Sequence, residues 1–355
     1  MAHKSFALKE LKDIASKHSS LSTLATDSGT ILITEYGARI LGLFPDNSLP
    51  NCLWVPEKID SLMSSGNWLV GGERLWISPE RNFYYENPRD FEGHKVPPGM
   101  DPGEFSKTDN LVFKTQYPIF DFMKNETYED CFSKRSFKSK TDPYSSGLPY
   151  VGVEITDSIG VSKPGVDMCC WSLSMIYTCG VEQPGTAFYP IKENGTILSY
   201  FNPIPKESAE VIGNYARFRI DADGIYKFAL KPEDMVFENK TKAVYVSPYP
   251  DSDQWFCIIK RSDDMPRNQE ECIDPPKNNP EGPRGATQSY NNGPGFGDEL
   301  LPFGEIELQL NKGVTQGDQT ISTGSHELLC YCGDKAKIIA LAQKALNVSS
   351  ELQLY

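Results

Sequence analysis

The chain has 355 residues, 39% of them hydrophobic, with 28 glycines and 26 prolines, which describes a loop-rich globular protein long enough to bury a large core. Its formal net charge of −13 argues against a nucleic-acid backbone as the main partner, because phosphate binding needs a basic surface, although a local basic pocket stays compatible with it. No run approaches the roughly 18 apolar residues of a membrane span, and Met1-Ala-His-Lys-Ser-Phe6 opens no apolar signal segment. The expectation is a soluble, cytoplasmic protein without a membrane partner.

In chain order, residues 5–18 predict a short helix with Leu8, Leu11, Ile14 and Ala15 on one side. Residues 1–24 then form an N-terminal helical arm packed outside one domain, 25–355. From Ile31 the pattern turns to strands at 30–34, 36–44 and 51–55, separated by the turn residues of Pro45-Asp-Asn-Ser48, as in an antiparallel meander. A helical excursion is expected within 56–64.

The stretch Gly71-Gly-Glu-Arg-Leu-Trp-Ile-Ser-Pro-Glu80 mixes charge with an indole after a glycine pair. With Leu75 and Ile77 in a core, period-two alternation puts Arg74, Trp76 and Ser78 on the opposite face. An arginine fork beside a flat aromatic suits a polyhydroxylated or anionic ligand. The alternative is a core Trp76 and an Arg74 that pairs with Glu73 or Glu80 at the surface. Glu73, Glu80 and Arg81 either complete a polar shell around Arg74 or form a structural ion-pair cluster at a strand end.

Residues 83–110 are rich in Tyr, Asn, Pro, Asp and Gly and read as a long loop holding His94, either a proton donor near neutral pH or a surface group. Strands are expected at 111–115, 150–155, 171–178, 187–191, 216–220, 226–230, 243–246 and 255–260. Lys227 points either to the ligand face or to solvent. Residues 262–298 read as a rim loop, with 284–297 as a lid over the site. In Glu299-Leu-Leu-Pro-Phe-Gly-Glu-Ile-Glu-Leu-Gln-Leu310, Ile306, Leu308 and Leu310 share one face and Glu305, Glu307 and Gln309 the other. Asp334 is placed as the N-cap of a last helix with Ile338, Leu341, Ala342 and Ala345 on its apolar stripe.

Nine cysteines without Cys-x-x-Cys spacing read as reduced, mostly core-filling thiols, and no metal or cofactor is expected. Strand after strand with helix signals only at the ends predicts an all-β sandwich. No Gly-x-Ser-x-Gly elbow, phosphate loop, dinucleotide fingerprint or His-Glu-x-x-His helix is present, which disfavours hydrolase, kinase and metalloprotease chemistry.

The chain resembles the galactose mutarotase-like superfamily of aldose 1-epimerases and related sugar-binding proteins. It looks closest to a branch with a Gly-Gly-x-Arg-x-Trp-x-x-Pro-Glu motif, here Gly71, Gly72, Arg74, Trp76, Pro79 and Glu80. The strands around Glu35–Phe44 and Leu53–Val55, Ser289-Tyr-Asn-Asn292 and Pro302-Phe-Gly-Glu-Ile-Glu307 extend the resemblance over roughly 25–330. It implies a β-supersandwich with short terminal helices and a small carbohydrate, neutral or anionic, as partner. It also implies general acid–base catalysis at the anomeric carbon, with a glutamate base and a histidine acid on opposite sides of the sugar. Glu305 stands about where the family's base is expected, with Glu299 as second choice; the alternative for Glu305 and Glu307 is the solvated face of an amphipathic strand. His94 is the histidine nearest the motif. The chain departs from the family in lacking a histidine in an Asn-His-x-Tyr-Phe context, which leaves a non-catalytic sugar-binding or assembly module as the alternative to an isomerase.

Overall fold

A computed structural model describes residues 4–294 and 301–355, in which two antiparallel sheets lie face to face. The first has nine strands, in the order Leu21–Ala25, Thr30–Thr34, Arg39–Phe44, Glu73–Ser78, Cys169–Ile176, Phe303–Lys312, Thr287–Asn292, Tyr226–Leu230 and Leu198–Ser199. The second has eleven. Its main path runs Ala209–Ile212, Tyr215–Ile220, Gly185–Pro190, Thr241–Pro248, Gln254–Ser262, Gln319–Asp334, Tyr150–Val161, Glu126–Ser139, Val112–Asp121 and Ser106–Asp109, and Val314–Gln316 pairs to its side. The chain is therefore an all-β sandwich, and one core cluster joins Ile33, Ile40 and Leu75 of the first sheet to Val153, Ile258 and Leu328 of the second.

Both glycines of the pair at 71 and 72 have positive φ, 82° and 81°. A Cβ would meet Trp54 O at 2.2 Å from Gly71 and Ile40 O at 2.3 Å from Gly72. Only glycine lets this segment pass so close to its neighbours and enter the Glu73–Ser78 strand in register. Hydrogen bonds from Gly72 N to Trp54 O and from Met175 N to Gly72 O, each 3.0 Å, fix the entry.

Helices cover the outer faces. Leu8–Ala15 buries Leu11 and Ala15 with Ile59 and Met63 of the Ile59–Ser64 helix, against Leu32, Leu41 and Phe44. Lys335–Leu346 buries its expected stripe against Val244, Cys257 and Leu329 of the second sheet. Asp334 occupies the N-cap position, yet its carboxylate pairs with Lys337 Nζ at 2.8 Å and caps no backbone N–H.

Several expectations are corrected. Within 83–110 the chain forms a two-stranded hairpin, Tyr85–Asn87 with Glu92–His94, and then the edge strand Ser106–Asp109. The polar run Thr287–Asn292 is a central strand of the first sheet, so it cannot act as a lid; residues 295–297 of the expected lid lie outside the described residues. Residues 51–55 make only an isolated bridge, Leu53 with Ile176. All nine cysteines are buried and free. Among the described residues no helix is long and apolar enough to cross a membrane.

Candidate functional site

Strand register assembles a basin on the outer face of the first sheet. Trp76 pairs with Trp171, and Arg74 with Leu173, which pairs with Glu307 on its other side. Glu305 pairs with Tyr290, which in turn pairs with Lys227. Because side chains alternate, Ile306, Leu308 and Leu310 enter the core while Glu305 and Glu307 share the opposite face. The hairpin adds Tyr85 and His94, and Trp68, Phe201 and Phe303 complete an aromatic wall.

Arg74 is the basin's fixed cation. Its Nη1 lies 2.7 Å from Glu305 Oε1, both side chains almost fully buried. The N–H direction misses the oxygen, so this is a charge contact without an aligned hydrogen bond, and both atoms retain bonding capacity. The guanidinium stacks 4.4 Å from the Trp76 ring. Asp101 supports the arrangement from below, accepting 2.7 Å from Trp76 Nε1, pairing with the buried Arg39, and lying 3.9 Å from Arg74 Nε.

Glu307 lies beneath the lining and is completely buried. Its Oε2 accepts from Trp171 Nε1 at 3.0 Å and sits 3.5 Å from Lys227 Nζ. Burial pushes its pKa up to about 7 against the opposing pull of Lys227, with Glu305 and Glu80 adding to the rise. Lys227 also reaches Glu80 Oε2 at 3.3 Å and lies 4.4 Å over Trp171. Burial alone would lower its pKa, but Glu307 and Glu80 hold it above the ordinary value. The Glu80 backbone N–H donates to Asp274 Oδ1 at 2.9 Å, which ties this network to the segment before Pro275. His94 packs 5.4 Å from Tyr85 and 6.4 Å from Trp76; burial lowers its pKa, so the neutral imidazole dominates at pH 7.

The structure thus brings together Arg74, Trp76, Glu80, His94, Lys227 and Glu305. Glu73 is elsewhere: alternation turns it to the inter-sheet side, where Arg135 Nη2 donates to it at 2.9 Å and Ser172 Oγ at 2.8 Å. Arg81 turns away too, its Nε donating 2.8 Å to Pro88 O and its Cζ over Phe91. Glu299 lies outside the described residues. Sequence reasoning misses Asp101, Trp171 and Glu307 as working parts. The signal for Glu307 is its strand parity with Glu305.

Glu73, Asp157 and His326 bring potential ligand atoms within 4.8 Å of one another between the sheets. Arg135 already bonds both carboxylates there, so a cation would meet a guanidinium and the group does not suit a metal. The free space of the basin is about 50 Å³, well below the roughly 300–1,000 Å³ of ordinary ligand pockets. A ring-sized ligand must part the aromatic wall to enter.

Neither a protein-family profile nor a curated protein matches the sequence. Similar solved structures exist at low identity. A galactose mutarotase-like protein from Lactobacillus casei matches with TM-score 0.47 and 10% identity over 88% of this chain and 100% of its own. An Escherichia coli protein provisionally described as an aldose 1-epimerase matches with TM-score 0.45 and 11% identity over 88% and 99%. A galactose mutarotase-like protein from Clostridium acetobutylicum gives 0.39 and 9% over 90% and 99%. At this identity, and with each of these TM-scores below 0.5, the likenesses assign neither ligand nor chemistry, and those rest on the basin's own residues.

Proposed function

We propose that the basin binds the ring of a small carbohydrate and promotes proton transfer at its anomeric carbon. The observation that carries this reading is a pair of buried carboxylates, Glu305 and Glu307, one pleat apart under an aromatic wall, the first against Arg74 and the second with its pKa near 7. Aromatic faces pack against the C–H faces of a sugar, and the surrounding charged groups bond its hydroxyls. Glu305 takes the anomeric hydroxyl proton, and the minor protonated fraction of His94 or another donor of the basin protonates the ring oxygen, while Arg74 orients the sugar or holds an anionic substituent. Lys227 links Glu80, on the basin wall, to Glu307 behind it and so keeps a proton store beside the site.

The second reading is binding without turnover. It is favoured by the small free space and by the contact of Glu305 with Arg74, which occupies the base. Proton NMR of freshly dissolved α-glucose, α-galactose and a uronic acid separates the two. Anomer exchange accelerated by the protein and lost in Glu305→Gln supports the isomerase. Saturation transfer to one sugar without acceleration supports the binding module, and neither signal with any of the three removes these sugars.

A further inference from the structure

A second cavity, of about 450 Å³, opens across the wall that closes the basin. Two segments form that wall. Glu80 lines the basin, whereas Pro79 and Arg81 line the second cavity; Asp274 bonds Glu80 N, whereas Ile273 and Pro275 line the cavity. The second cavity is therefore a separate compartment built on the back of the same residues.

Its charge is unlike that of the chain. Five cations line it: Arg81, Lys124, Lys163, Arg284 and Lys312. Lys163 pairs with Glu126, and Lys312 with Asp167 at 2.7 Å. Among the described residues Arg81, Lys124 and Arg284 form no ion pair. Asp121, a buried carboxylate of the lining, is engaged by neutral donors: Tyr128 Oη at 3.2 Å, Asn82 Nδ2 at 3.3 Å and Lys124 N at 3.0 Å. Both arginines are held in place from behind. Arg81 donates through Nε to Pro88 O, and Arg284 through Nη1 to Cys272 O at 3.1 Å, which leaves their other N–H groups for a ligand. Pro275 and Ile273 are buried in the floor, and Met123, 40% exposed, stands at the rim.

Five cations set against Asp121, Asp167 and Glu126 leave an excess of two positive charges around one concavity, in a chain of net charge −13, and this makes a local positive potential that a bound anion would neutralise. Guanidinium forks fixed in advance lose little freedom on binding, and they match a pair of oxygens on a phosphate or a carboxylate. We propose that this cavity binds a small multivalent anion, a phosphate ester or a polycarboxylate, held by Arg81 and Arg284 with Lys124 at the rim and its body on the apolar floor. The site is independent of the chemistry proposed for the basin.

Calorimetric titration of the full chain with inorganic pyrophosphate, and separately with citrate, tests it, with glucose as the neutral control. One saturable site for at least one anion is expected, weakened tenfold or more in Arg81→Gln and in Arg284→Gln, weakened by added salt, and retained in Glu305→Gln. The exposed Lys124→Gln keeps the test valid should either arginine variant fail to fold. Pyrophosphate alone would mark a phosphate site and citrate alone a carboxylate site, each supporting the proposal. No saturable binding of either anion overturns it, as does affinity unchanged in the variants. Loss of binding in Glu305→Gln also overturns it, by moving the anion into the basin.

Discussion

Glu305 and Glu307 are two residues apart on one strand face, and what separates them is the partner each one meets. Glu305 rests against Arg74, while Glu307 is sealed beneath Trp171 and Lys227. A buried carboxyl with its pKa raised from 4.5 to about 7 binds its proton more tightly folded than unfolded. Its contribution to stability is therefore full below pH 4.5 and is lost as pH rises towards 7, by roughly 3 kcal/mol. His94, with its pKa lowered, acts in the opposite sense below pH 6.5. Comparison of urea melts of the wild type and Glu307→Gln between pH 5 and 7.5 isolates the glutamate. The wild type should lose stability relative to the variant across this range, and parallel curves would show that Glu307 keeps an ordinary pKa. The same variant sorts the acid in the proposed reaction: a pH limb near 7 that vanishes in Glu307→Gln points to the Lys227 network, and one below 6.5 that vanishes in His94→Asn points to the imidazole. Removing Arg74 strands a buried carboxylate, so Arg74→Ala should cost roughly 3–5 kcal/mol, and the Arg74→Ala/Glu305→Ala pair less than the sum of its singles. Much of this is legible in the sequence. Parity puts Arg74 with Trp76 and Glu305 with Glu307, and the same parity puts Glu73 with Leu75 on the other side. Burial of the glutamate face is not legible, because a Glu-x-Glu-x-Gln row reads the same whether it meets water or a wall of tryptophans.

At the scale of elements, the two sheets are joined by charge as well as by apolar packing. Glu73 and Ser172 come from the first sheet, and Arg135, Asp157 and His326 from the second, all buried. Burial opposes the charge on Glu73, yet Arg135 holds its pKa well below the ordinary carboxylate range. Arg135→Met leaves Glu73 and Asp157 without their shared cation and should cost roughly 3–5 kcal/mol in chemical denaturation. A cost below about 1 kcal/mol would mean that the carboxylates are satisfied by protonation or by water. Ile338 in the last helix is fully buried against the second sheet, and Ile338→Ala should cost roughly 2–5 kcal/mol without affecting the basin on the far sheet. The terminal helices and many strands are readable from periodicity. Glu126–Ser139 escapes such a reading because its buried row mixes Tyr128, Cys131 and Phe137 with Ser133 and Arg135, and a register irregularity opposite Tyr117 and Ile119 breaks its period, so the alternation carries only a weak hydrophobic signal. Thr287–Asn292 reads as a lid for the same reason: its Thr, Gln, Ser and Asn residues are all buried, and bonds such as Gln288 Nε2 to Asp274 and Asn291 Nδ2 to Asp221 satisfy them in ways that composition cannot display.

Across the whole molecule, the basin draws on segments that are remote in sequence: Arg74 and Trp76, His94, Trp171, Lys227, and Glu305. The strand that carries Trp171 is flanked by one near residue 75 and another near residue 308. Its place in the sheet requires closure of long loops before any pairing energy is returned. Such a topology folds slowly, on the scale of milliseconds to seconds or longer, and offers no half-built version of the site. Refolding followed by tryptophan fluorescence should therefore regain ligand binding only in the last phase, together with the last burial of Trp171. Binding regained before that phase would place the site within a smaller folding unit. During synthesis the same arrangement means that the ribosome must release Glu305, far downstream of Arg74, before Arg74 can meet its partner. Until then the nascent protein carries an unpaired arginine and a half-open sheet, which makes it a candidate for chaperone capture.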